Sequence, residues 1–458
     1  MSKPGFRIIV VGAGKVGKTL TKRLTDEGHN LIVIDRSESK LEELSNQCDC
    51  LLLPGSGASH ATLEEAGIAN ANVMIAVTDS DELNLLCCTI AKQFNPDIST
   101  IARVRNPDYG SEIPYLMNRL AIDRIINPEY EAAIDAARLL FLPAAMSINS
   151  FAHGNAEIVK IEIPEGSILD NNTIAYLGKN RTNDLVIVDV ERDGVLTIPN
   201  GDFVLKSGDI ISFVSSSRKV CLGFLKKIGF NTKTVRNTII IGGGKSAYYL
   251  ADQLIKSGID VKIIEKSNAR CEELSVLLPK ATIINADGTD SELLDEAGIK
   301  STDSLVALTG IDEENIMLTL HAKQVSKAKV VTKINRITFT KVINNLNLGS
   351  VIYPKYITAE TIISYIRAKQ ASRGSNVETV YQFLDGQGEA IEFKVKEASA
   401  ITGIPLKDLK IKTGVIVSFI IHDGRLIIPT GTDCISEGDS VMIVTSHKGF
   451  TELTDILQ

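Results

Sequence analysis

The stretch Arg7–Leu20, RIIVVGAGKVGKTL, decides the fold. Ile8, Ile9, Val10 and Val11 make a short apolar run of the kind that forms a strand buried on both faces. Gly12, Gly14 and Gly17 follow at once as G-x-G-x-x-G, and Val16, Leu20 and Leu24 then recur at helical spacing. A strand, a tight turn and a helix with free first amides make a place for phosphate, because unpaired N–H groups and the helix dipole both attract an anion. Gly12 permits the turn, Gly14 lets backbone approach a pyrophosphate, and Gly17 lets the helix close on the strand. The next strand, Asn30–Ile34, runs into Asp35, 23 residues after Gly12. That is where a dinucleotide fold places a ribose-binding acid. A carboxylate there accepts from the ribose hydroxyls and repels a 2′-phosphate, which favours NAD over NADP. Arg36 beside it weakens that bias.

Gly12–Thr19 also fits the P-loop pattern G-x-x-x-x-G-K-[ST], with Lys18 as the phosphate lysine and Thr19 as a magnesium ligand. The two readings exclude one another, and the second half of the chain decides between them. From Asn237 the sequence reads NTIIIGGGKSAYYLADQLIKSGIDVKIIEKS, an echo of the opening 230 residues on. Gly242 and Gly244 stand where Gly12 and Gly14 stood, Ala247 replaces Gly17, and Glu265 takes the place of Asp35. The echo persists. Gly55-Ser56-Gly57 is answered by Ala286-Asp287-Gly288, and Glu65–Ile68 by Glu296–Ile299. Ala76-Val77-Thr78 with Asp81, Glu82 and Asn84 is answered by Ala307-Leu308-Thr309 with Asp312, Glu313 and Asn315. Arg103-Val104-Arg105 meets Lys333-Ile334-Asn335. The chain is an internal duplication. What its halves share is G-x-G and the distal acid; the second half has no P-loop pattern, so the dinucleotide reading stands.

At 458 residues the chain is too long for one ordinary core. Its 44% hydrophobic and 23% charged residues are those of a folded soluble protein. No apolar run is long enough to span a membrane, and MSKPGF is not a signal peptide. A net charge of −7 gives no basic footprint for nucleic acid. The seven cysteines and six histidines are scattered, without C-x-x-C or H-E-x-x-H spacing, so a reduced cytosolic protein without a metal site is expected.

Within each half, strands first alternate with helices: Ile8–Val11, Leu31–Ile34, Cys50–Leu53, Val73–Val77, Ile98–Arg103 and Ile122–Ile126, with helical patterns at Ser37–Asn46 and Asp81–Gln93. This alternation predicts an α/β fold, a doubly wound parallel sheet with ligands at the carboxyl ends of its strands. Pro128–Leu142 reads as a further helix closed by Pro143. Short β segments follow in 156–214, with an Asp193-Gly194 hairpin cue that recurs as Asp423-Gly424. The expected organisation is tandem: a Rossmann-like domain over 1–128, a small α+β domain over 143–229, then the same pair over 235–354 and 371–458, with a polar joint near Asn231–Arg236.

This arrangement resembles the TrkA family, the cytosolic regulatory subunits of bacterial Trk potassium uptake systems, built of two tandem RCK (KTN) units. The resemblance covers essentially the whole length and is carried by GAGKVG with Asp35, GSGAS, AVTDSDELN, IARVRNPDY, ADGTD and ALTGIDEEN. It implies RCK-N and RCK-C domains in each half and a peripheral protein on the cytoplasmic face of the inner membrane. It also implies binding of NAD (NAD+ or NADH), with ATP or ADP as further ligands, and gating of a potassium-translocating membrane subunit of the TrkH/TrkG type. Four chains would close an eight-unit ring. Carried over by position, Gly12, Ala13, Gly14, Lys15 and Val16 hold the pyrophosphate, Asp35 the ribose, Thr78 and Asp79 the strand-end loop, and Arg103 the phosphates. The second-half counterparts are Gly242, Gly243, Gly244, Lys245, Ser246, Glu265, Asp287, Thr309 and Lys333. Ala247 and Lys333 depart from the first half's glycine and arginine.

Each of these residues also has a structural reading. Asp35 and Glu265 could simply end their strands, Thr78 and Thr309 could cap the helices that follow them, and Arg103 with Arg105 could be a solvated pair. His153 and His422 have no evident partner and read as structural. With no catalytic constellation, the chain is expected not to be an enzyme; the alternative is an NAD-dependent dehydrogenase, which explains one dinucleotide domain but not two.

Overall fold

The computed structural model describes residues 5–109, 112–151, 155–179, 184–230, 232–335, 346, 348–372, 376–383 and 387–458. His153 and Asn231 lie outside these. In the first sheet β1 (Arg7–Val11), β2 (Asn30–Asp35), β3 (Leu51–Pro54), β4 (Val73–Ala76), β5 (Ser99–Arg103) and β6 (Arg124–Ile126) are ordered β3-β2-β1-β4-β5-β6, all parallel. Ile8 to Val11 are at most 2% exposed, as a central strand covered on both faces must be. Helices α1 (Lys15–Asp26), α2 (Glu38–Ser45), α3 (His60–Glu65), α4 (Asp81–Phe94), α5 (Ile113–Leu120) and α6 (Pro128–Phe141) follow the strands. On α1 the buried positions include Val16, Leu20 and Leu24, the stripe that the spacing demands. The strand order reverses between β1 and β4, so their carboxyl ends open a crevice.

An antiparallel sheet comes next: β7 (Ser147–Phe151), β8 (Ala156–Glu162), β9 (Leu185–Arg192), β10 (Val195–Thr197) and β11 (Ile210–Ser215), ordered β10-β9-β11-β8-β7, with α7 (Ile174–Lys179) and α8 (Arg218–Lys227). The second half repeats both sheets. Strands β12 (Asn237–Ile241), β13 (Asp260–Glu265), β14 (Thr282–Asn285), β15 (Ser304–Ala307), β16 (Lys329–Lys333) and β17 (Ser350–Ile352) are parallel in the order β14-β13-β12-β15-β16-β17. They alternate with α9 (Lys245–Lys256), α10 (Asn268–Leu277), α11 (Ser291–Ala297) and α12 (Asp312–Val325), and α13 (Pro354–Ser372) follows. Strands β18 (Val377–Phe383), β19 (Gly388–Lys394), β20 (Val415–His422), β21 (Arg425–Ile427) and β22 (Ser440–Thr445) form the last antiparallel sheet, β18-β19-β22-β20-β21.

The repetition reaches small details. Asp193 and Gly194 take φ of 54° and 76°, and Asp423 and Gly424 take 47° and 75°, the left-handed pair that a two-residue hairpin requires. Both antiparallel sheets carry a bulge at corresponding places, at Val188 of β9 against Ser212 and Phe213, and at Ser418 of β20 against Met442 and Ile443.

The chain divides into two compact units. Met1–Ala136 with Asn237–Ile363 holds the parallel sheets, and Ala137–Arg236 with Ser364–Gln458 holds the antiparallel ones. In the first unit the halves meet where Asn127 Nδ2 donates to the Tyr249 hydroxyl at 2.9 Å, Tyr130 packs edge-on against Tyr249, and Arg23 pairs with Glu360. In the second unit Phe151, Ile158, Val188 and Val214 share one core with Phe383, Phe419, Met442 and Val444. The division falls inside α6 and α13. Among the described residues no helix is long and apolar enough to cross a membrane.

Candidate nucleotide-binding site

The first crevice is built by the three glycines, each for a different reason. Gly12 sits at φ +107°, a conformation that a side chain strains. A Cβ on Gly17 would meet the Gly12 carbonyl oxygen at an impossible 1.8 Å, so α1 lies directly on the turn. Gly14 has neither constraint: its φ is −72°, and a Cβ there would find nothing within 4 Å. Nothing in the protein requires glycine at position 14, and the space above it is open to a ligand. Gly14 is also the N-cap of α1; it offers no side-chain cap and the first turn has no acid, so the helix leaves its amide charge available.

Asp35 closes the other side. Its Oδ2 accepts from the Ala13 amide at 2.7 Å and its Oδ1 from the Ser37 amide at 2.8 Å. Two of about four lone-pair positions are thereby used, leaving acceptor capacity for ribose hydroxyls. Gly12, Gly14, Asp35, Thr78 and Asp79 line one cleft of about 160 Å³ together with Arg36, Lys40 and Ser56. Of the other expected residues, Ala13 and Val16 are buried, so only their backbone can serve a ligand, and Lys15 is exposed. Lys18 pairs with Glu43 and Thr19 Oγ1 donates to the Lys15 carbonyl, which removes the P-loop roles from both.

Thr78 does not cap α4. Ser80 does, accepting from Leu83 N, while Thr78 Oγ1 donates to Asn84 Oδ1 at 2.7 Å. Asn84 is fully buried and organises the whole strand-end loop: Oδ1 accepts from Thr78 N, and Nδ2 donates to the Thr78 and Arg103 carbonyls. Asp81 adds to this by accepting from the amides of Arg105 and Asn106, both at 2.8 Å. Arg103 is 8% exposed; one Nη donates to the Thr78 carbonyl at 2.6 Å, and its Nε has no hydrogen-bond partner among the described residues. In this structure Arg103 therefore holds the loop. The sequence alone gives neither Asn84 nor Asp81 a role, although both recur in the repeat as Asn315 and Asp312.

The second crevice copies this frame. Gly242 has φ +98°, Gly244 is an uncapped N-cap with open space above it, and Glu265 accepts from Gly243 N at 2.6 Å and Ser267 N at 2.7 Å. Asn315 binds Thr309 N, Thr309 O and Lys333 O. Lys333 Nζ donates to the Leu308 carbonyl, and burial lowers its pKa. Other residues differ. Thr309 is again no cap, since Ile311 takes that position. Asp287 bonds its own turn through Thr289. Arg270 Nε donates to the Gly243 carbonyl at 2.7 Å, tying α10 to the glycine loop where the first half has the cleft-lining Lys40. Lys245 is exposed at the start of α9, and Ser246 is 8% exposed.

Comparison with known proteins agrees with the duplication. The TrkA-N domain model matches residues 8–128 and 238–354, and the TrkA-C domain model matches 158–220 and 390–458. The chain is 30% identical over 451 residues to the Trk system potassium uptake protein TrkA of Haemophilus influenzae, covering 97% of this chain and 96% of that one. It is 31% identical over 455 residues to the TrkA homolog of Archaeoglobus fulgidus, covering 99% and 100%. Among solved structures, the GsuK channel bound to NAD superposes with a TM-score of 0.64 at 19% identity, over 97% of this chain and 77% of that one. The GsuK RCK domain gives 0.63 at 19% identity, over 97% and 92%. These structural likenesses concern the fold. A duplicated glycine-loop crevice, tandem matches to both domain models and full-length relatives at this identity place the chain in the TrkA family.

Proposed function

We propose that the chain is the nucleotide-sensing regulatory subunit of a Trk-type potassium uptake system. It binds NAD+ or NADH in the first crevice and acts, from the cytoplasmic face of the membrane, on a separate potassium-translocating subunit of the TrkH/TrkG type. The observation that carries this reading is the open position over Gly14 beside an acid with free lone pairs. Support comes from the relatives, which are named as potassium uptake proteins, and from GsuK, whose structures include NAD-bound and ADP-bound forms. Adenine nucleotides such as ATP or ADP would use the same helix N-terminus. NAD would rest its pyrophosphate on the amides after Gly14 and its ribose on Asp35. As proposed contacts for the second crevice, Gly242 to Ser246 and Glu265 do the same, with Arg270 altering the affinity.

Asp35→Ala is expected to weaken NAD by about 1–3 kcal/mol, as for hydrogen bonds to a charged group, and to narrow the preference over NADP. Calorimetry giving the parent affinity for both dinucleotides takes Asp35 out of the site.

Regulation requires that nucleotide favour one conformation; a ligand bound equally by two states moves nothing. Potassium flux into liposomes carrying the membrane subunit is expected to depend on this protein and on which nucleotide is present, by roughly 5- to 150-fold. Flux indifferent to both protein and nucleotide ends the gating reading. A steady-state assay over alcohols and hydroxy acids that gave robust NAD reduction would replace it with a dehydrogenase. A chain of two similar units suits closed symmetry, and we propose four chains in an eight-unit ring. Light scattering that found only monomer at micromolar concentration overturns the ring.

A further inference from the structure

The duplication supplies an internal control that isolates one substitution in the antiparallel domains. At the end of β9, Arg192 reaches Asp209 with two bonds of 2.6 Å, from Nε to Oδ1 and from Nη2 to Oδ2. Asp209 also accepts from Lys206 N, so the pair pins the turn that leads into the central strand β11. In the second domain the same frame returns. Asp439, 1% exposed, accepts from Ser436 N through Oδ2 and holds the turn before β22. The cation at the end of β20 is now His422, whose Nδ1 lies 2.6 Å from Asp439 Oδ1. This is the partner that the sequence did not reveal for His422.

We propose that the second antiparallel domain carries a proton-dependent brace, His422 against Asp439, where the first carries a permanent one, Arg192 against Asp209. Guanidinium keeps its charge at every physiological pH, whereas imidazole changes charge within that range. The hydrogen bond to Asp439 and that residue's charge, then the charge of Asp423 at 3.7 Å from Nε2, raise the His422 pKa above its ordinary 6.5. Two cations also face this corner. Arg425 lies opposite His422 in the hairpin register, and Lys394 Nζ donates to the Gly438 carbonyl. The imidazole is the group whose ordinary titration range falls there. Because the folded pKa is the higher one, the brace contributes fully below about pH 6.5 and is lost as pH rises through the raised value. The turn Ser436–Asp439 then loosens in the second domain and not in the first.

This inference does not depend on nucleotide binding, and its test needs no ligand. Hydrogen exchange of the full chain, expressed as protection factors to remove the intrinsic pH dependence, is followed from pH 6 to 9. Protection around Ser436–Asp439 is expected to fall roughly two- to fivefold as pH rises, the range of an exposed ion pair. The matching peptide around Lys206–Asp209 stays flat. Histidine 422 changed to arginine, H422R, should make the second turn flat, and R192H should give the first turn the pH dependence it lacks. Equal pH dependence of both turns in the parent, or a dependence that survives in H422R, overturns the proposal. Should R192H fail to fold, the parent comparison and H422R still decide.

Discussion

Gly14→Val is expected to abolish nucleotide binding in the first crevice while the protein folds as before. The backbone at Gly14 is ordinary extended chain, φ −72° and ψ −173°, which valine adopts without strain. A Cβ there touches nothing, so no packing is disturbed. The folding cost is that of a poorer N-cap, about 1 kcal/mol or less. The ligand loses much more. The methyl groups fill the space through which, in the proposed binding mode, phosphate reaches the first amides of α1, and losing two charge-assisted hydrogen bonds at about 1.5–3 kcal/mol each amounts to a loss of roughly 100-fold or more. Calorimetry with NADH, ADP and ATP, beside thermal unfolding, checks both halves of the claim. Parent-like affinity with parent-like unfolding would mean that the glycine loop is not where the nucleotide sits. Gly244→Val is the matching variant for the second crevice, where the Cβ space is equally open.

Much of this was legible in the sequence because repetition and backbone geometry leave strong marks. The parallel sheets followed from apolar runs alternating with helical spacing, and the Asp-Gly hairpins from residues that tolerate left-handed backbone. Strands β7 and β18 were not anticipated. The first reads SINSF, a polar edge strand whose pairing with β8 comes from the tertiary fold and leaves no strong alternation. In the crevice, Gly12 and Gly17 announce themselves because few other residues take that backbone or fit that close approach. The work of Asn84 could not be read, since its bonds run to the carbonyl of Arg103 and to Thr78, partners that only folding brings together. Likewise the sequence left Arg103 open between a phosphate ligand and a charge pair, and the bond from its guanidinium to the Thr78 carbonyl could not be read there. Strand-end position located that arginine, but not the direction of its side chain.

Gly17→Val carries the second large effect, and it is the opposite of Gly14→Val three residues earlier. The Cβ would lie 1.8 Å from the Gly12 oxygen and 3.0 Å from its carbon, with Val77 Cγ2 at 3.7 Å. The obstacle is main chain in a turn that is itself fixed, since Gly12 N donates to the Ile34 carbonyl at 2.8 Å. No rotamer relieves that clash, so α1 must move off β1. Overpacking a core costs about 1–3 kcal/mol, and a branched side chain against backbone should reach or exceed the upper figure. The second half shows that a single methyl can be absorbed: Ala247 occupies the corresponding position and is fully buried. Gly17→Ala should therefore be intermediate, with α1 displaced slightly and affinity reduced. Hydrogen exchange at Arg7–Val11 and Lys15–Asp26 measures the effect locally, in a chain whose other domains remain folded. The expected order of protection is parent, then Gly17→Ala, then Gly17→Val, with binding falling in the same order. If Gly17→Val kept the parent's protection, the close approach of helix and turn would not be what positions the crevice. If it lost binding alone, Gly17 would act on the ligand, as Gly14 does, and the separate roles assigned to the two glycines would collapse into one.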